Sequence, residues 1–70
     1  MEIANKAQIR IKHWMEHNDS HILEYEAFAK YLEESGKSAS STHILEMVEL
    51  TRKTGECLRK ALLALDKPKP

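Results

Sequence analysis

A single cysteine, Cys57, in 70 residues leaves no partner for an internal disulfide, so a cystine framework is excluded as the source of stability. No apolar run is long enough for a membrane span, and no signal peptide or lipidation box is visible. On those absences a reducing cytoplasm is the expected location, with no membrane contact. An excess of either charge is also missing. Lys plus Arg and Asp plus Glu stand at 11 each, and the basic residues are scattered, which removes the usual electrostatic footprint of nucleic-acid binding. Catalytic motifs are lacking as well: there is no HExxH, no cysteine pair and no base that can be assigned to activate the Cys57 thiol, so no enzyme is expected.

Only two prolines and two glycines punctuate the chain. Both prolines lie in Lys67-Pro68-Lys69-Pro70, which reads as a disordered tail behind a single helical domain at 1–66. The convincing internal break is Ser35-Gly36-Lys37-Ser38-Ala39-Ser40-Ser41, where Gly36 suits a helix C-terminus and the serines offer N-caps for the next helix.

What remains is strongly periodic. In the first half Ala7, Ile11, Trp14, Asn18, His21, Tyr25, Phe28 and Leu32 alternate in steps of four and three. In the second half Ile44, Val48, Thr51, Gly55, Leu58, Leu62 and Leu65 do the same. The simplest architecture is all-α, an antiparallel helical hairpin of about 3–34 and 40–66. A competing three-helix bundle breaks the first helix at Asn18-Asp19-Ser20, three weak helix formers and good caps. Length favours the hairpin, because a second helix of roughly 40 Å matches an unbroken partner better than either half of a broken one.

Folding about Lys37 pairs positions whose numbers sum to about 75, setting His21 opposite Thr54 or Gly55 and Asn18 opposite Cys57 or Leu58. Flanking residues Met15, Ile22 and Ala29 on the first helix, and Met47, Leu50, Ala61 and Ala64 on the second, would stay wet in a monomer. A homodimeric four-helix bundle would cover them. Trp14, Tyr25, Phe28 and Tyr31 fall at core-like spacing and read as packing. The glutamates read as a solvated helix face, and Cys57 as a small buried residue at a subunit contact.

The chemistry-bearing feature is the histidine row His13, His17 and His21, spaced by four and therefore able to line one side of a helix. His17 and His21, one turn apart, suit bidentate binding of a divalent transition metal such as Ni or Zn, with His13 or Glu24 assisting. The alternative is a metal-free dimerisation or protein-interaction module in which His21 is a hydrogen-bonded core residue beside Tyr25 and Asn18.

The run His13-Trp14-Met15-Glu16-His17-Asn18-x-x-His21-x-x-Glu24-Tyr25-x-x-Phe28-Ala29, followed by a glycine turn and a Leu-rich second helix, resembles a small helical domain of uncharacterised prokaryotic proteins. That His-Trp-x-x-His-Asn-x-x-His pattern is associated with nickel-handling proteins that also carry a His-rich segment, which this chain lacks. The resemblance covers about Gln8 to Leu65, and it implies that His13, Trp14, His17, Asn18 and His21 mark a metal site.

Overall fold

A computed structural model describes residues 2–65, and the expected tail at 67–70 lies outside them. Two helices, α1 (Glu2–Glu34) and α2 (Ser38–Ala64), pack side by side as an antiparallel hairpin with extents of 52 × 21 × 10 Å, a plate one helix thick. Asn18, Asp19 and Ser20 are helical, so α1 is continuous and the three-helix alternative is set aside. Weak propensity at three positions amounts to a few tenths of a kcal/mol each, and a seam that continues past them on both sides outweighs it.

The turn is a Schellman closure. Lys37 N–H donates to the Leu32 carbonyl at 2.8 Å and Gly36 N–H to the Glu33 carbonyl at 3.1 Å, while Gly36 takes a left-handed φ of 79° that side chains disfavour. The serines do not cap α2 as expected. Lys37 occupies the N-cap position with no side-chain hydrogen bond. The hydroxyls reach across the turn instead: Ser38 Oγ donates to Glu33 Oε2 at 2.5 Å and Ser41 Oγ to the Ala29 carbonyl at 2.7 Å.

On α2 the seam is the expected one, running through Ile44, Val48, Thr51, Gly55, Leu58, Leu62 and Leu65. On α1 it is rotated by one residue at alternate positions. Ile11, Asn18, Tyr25 and Leu32 face the partner helix as expected, but Met15, Ile22 and Ala29 fill the intervening places. Ile22 and Ala29 are therefore buried rather than wet. Trp14, His21 and Phe28, expected in the seam, lie outside it and are exposed.

Size is the physical reason. Small residues hold the helices close, with Ala29 and Ser41 each 2% exposed near the turn and Gly55 in mid-seam, leaving no room for the Phe28 or His21 ring at those levels. The described apolar core is accordingly thin, consisting of Ile22, Ala29 and Val48.

Candidate functional site

The middle of the hairpin is fixed by a polar lock. Asn18 Nδ2 donates to the Thr51 carbonyl at 3.0 Å, and a Cβ added to Gly55 would lie 2.8 Å from that nitrogen. Asn18 can reach a carbonyl inside α2 because Gly55, one turn further on, has no side chain over it. The helix register follows: Asn18 lies against Gly55 and Thr51, not against Cys57 or Leu58. Gly55 gives backbone room, and the group filling it is the Asn18 amide rather than the His21 ring expected opposite Thr54 or Gly55.

Once the seam is fixed, the two broad faces of the plate differ in chemistry. One is crossed by Arg52, whose Nη2 is 2.7 Å from Glu26 Oε2 and whose Nε is 3.3 Å from Glu49 Oε2. Beside it a shallow groove of about 280 Å³ is bordered by Asp19, Glu56 and Arg59 along with the seam residues Asn18 and Gly55. Helical geometry puts Trp14, His17, His21 and Phe28 on the other side of the α1 seam from Glu26, and Met47, Thr54 and Ala61 on the other side of the α2 seam from Arg52. The second face is therefore aromatic and aliphatic with histidines among the rings. Trp14 and Phe28 are each half exposed there, and Leu50, at its edge, is 64% exposed.

The histidine row runs from the outer surface of α1 at His13 onto this face at His17 and His21. The His13 and His17 rings meet edge-on with centroids 4.4 Å apart, and those of His17 and His21 are 6.3 Å apart. His21 also stacks on Tyr25 at 5.8 Å. All three histidines are exposed, so His21 is not the core polar residue that one expectation made it.

Glu24 is brought to the row as an orienting partner, with Oε1 3.1 Å from His21 Nδ1. When Nδ1 carries the proton and donates to Glu24, the Nε2 lone pair is left free to bind a ligand, the usual arrangement behind a metal-bound histidine. His43 is held similarly by Glu46 at 2.6 Å on α2. Among the described residues no group of three or more His, Cys, Asp or Glu side chains is placed to hold a metal ion. Cys57 is exposed in the single chain.

Three contacts were not read from the sequence: the Asn18–Thr51 bond, the Ser41–Ala29 bond and the Arg52–Glu26 pair. An Asn at a seam position and a Gly inside a helix were the available signals for the first. The other two depend on register.

No described helix is long and apolar enough to cross a membrane. Two antiparallel helices joined along one seam make this an all-α helical-hairpin protein. The chain belongs to the family described as "Domain of unknown function (DUF8180)", whose model matches residues 7–65 and so takes in the histidine row, the turn and the Asn18–Gly55 lock. No curated protein and no solved structure matches it.

Proposed function

We propose that this chain is an association module rather than an enzyme, and that two hairpins pair through their aromatic faces into a homodimeric four-helix bundle. The observation that carries this is the contrast between a thin core of Ile22, Ala29 and Val48 and a face that leaves Trp14, Phe28 and Leu50 at least half exposed. A chain of this length buries too small a fraction of its surface to be comfortably stable alone, and stacking two plates removes the apolar face from water. Sedimentation should report a dimer at micromolar concentration. A compact 8.1 kDa species that persists to high micromolar concentration would overturn the proposal.

A second function is favoured by the exposed histidine row: binding of a divalent transition metal, Ni(II) or Zn(II), through His17 and His21 with His13 assisting and Glu24 orienting. One hairpin supplies too few converging donors, so binding is modest in a monomer and strengthens when a second copy or water completes the shell. It weakens in acid, because imidazolium has no lone pair to give. Calorimetry at neutral pH should show His17→Ala and His21→Ala each losing most of the Ni(II) or Zn(II) affinity of the parent. Equal affinity in all three proteins would leave association as the sole function.

A further inference from the structure

We propose that the two copies stack antiparallel, each α1 on its partner's α1 and each α2 on its partner's α2, about a two-fold axis at the level of His21. This rests on the homodimer proposed above and adds its orientation and the residues that meet.

The stripe that α1 presents on the aromatic face is self-complementary when reversed. Trp14 and Phe28 are equidistant from His21 in sequence, so reversal about that level sets the indole of one copy against the phenyl ring of the other. The same operation brings His17 within one residue, about 1.5 Å of rise, of the level of the partner's Glu24, and Arg10 within one residue of the partner's Tyr31, one a pair of opposite charges when the imidazole is protonated and the other a cation against a ring. On α2, reversal about residue 52 sets Leu50 opposite Thr54 and Met47 opposite Cys57.

One axis can serve both stripes only if residues 21 and 52 lie at the same height in the hairpin. They do to within about one turn: the helices run antiparallel, and the Asn18–Gly55 approach sets residue 21 level with 52 while the Ser41–Ala29 hydrogen bond sets it level with 49.

The other closed arrangement has its axis along the helices and lays α1 on the partner's α2. It would press Glu24 and His21 onto the aliphatic stripe of Met47 and Leu50, burying polar groups against apolar ones with no partner. The antiparallel stack instead sets Trp14 on Phe28 and Met47 on Cys57, with Leu50 against Thr54 as a mixed pair. A face of 52 × 21 Å is ample for the roughly 800 Å² per partner that a stable interface buries. With formal net charge zero, two copies approach without overall repulsion.

Electron–electron distance measurement on a spin label at Lys37→Cys in a Cys57→Ser chain separates the arrangements, since Lys37 is an exposed turn residue. The antiparallel stack places the two turns at opposite ends, about 50 Å apart at 1.5 Å per residue from the axis level. The alternative brings them to one end, within about 20 Å, two interhelix spacings. A dimer with the short distance overturns the orientation and leaves the homodimer standing, whereas a monomer by sedimentation removes both.

A charge exchange gives an independent reading. His17→Glu should weaken dimerisation roughly tenfold by facing the partner's Glu24, and adding Glu24→Lys should restore it. No restoration in the double variant also counts against the antiparallel stack.

Discussion

Phe28→Asp is expected to turn the protein into a monomer that melts at a lower temperature than its parent. Phe28 is half exposed in the single hairpin, so the substitution removes little that one chain needs for its own seam. In the proposed dimer each copy buries the remaining half of that ring, worth about 0.75–1.5 kcal/mol per side chain. Losing two of them weakens association on the order of 10- to 10²-fold, before the cost of burying the carboxylates is added. Thermal stability follows, because a hairpin with so thin a core draws on the partner's cover by mass action.

The control is Leu23→Asp. Leu23 is more exposed than Phe28, at 69% against 50%, yet it lies on the outer edge of α1, away from the aromatic face. Sedimentation of both variants at one concentration decides the matter: Phe28→Asp should run as a monomer and Leu23→Asp as a dimer. Equal dissociation by the two would mean that general hydrophobicity, and not this face, holds the copies together.

The hairpin, the continuity of α1 and the α2 seam were all legible in the sequence, because each follows from periodicity and from where Gly36 stands. The rotation of α1 was not. Steps of four and three admit two overlapping frames that share Ile11, Asn18, Tyr25 and Leu32, and they differ only in whether Trp14, His21 and Phe28 or Met15, Ile22 and Ala29 lie between.

Hydrophobicity favours the first frame, since it adds Trp14 and Phe28. Steric fit selects the second, since Ser41 and Gly55 on the facing helix accept only close, small neighbours. That information belongs to the pair of helices and cannot be read from α1 alone. The histidine row suffered from the same ambiguity, for the one-residue shift moves His21 from the seam to the exposed face. There it aligns with His13 and His17 and is oriented by Glu24.

The Asn18–Gly55 lock leads to the largest stability effect within one chain. Gly55→Leu should lower unfolding stability by about 2–3 kcal/mol, seen as a lower urea midpoint with helical signal as the probe. Its Cβ alone would fall 2.8 Å from Asn18 Nδ2, so the amide must leave the Thr51 carbonyl, and the rest of the side chain then pushes the helices apart.

Gly55→Ala meets the same first atom without the bulk. It gains about 1 kcal/mol of helix propensity and forfeits a hydrogen bond of about the same size, so its net change should be near zero. The two effects separate in the Asn18→Ala background. With no amide left to displace, Gly55→Ala there should raise stability by about 1 kcal/mol, and that non-additivity is what a direct contact between positions 18 and 55 requires. Additive behaviour across the cycle, or a Gly55→Leu chain as stable as its parent, would mean that the helices are not in close contact at this level.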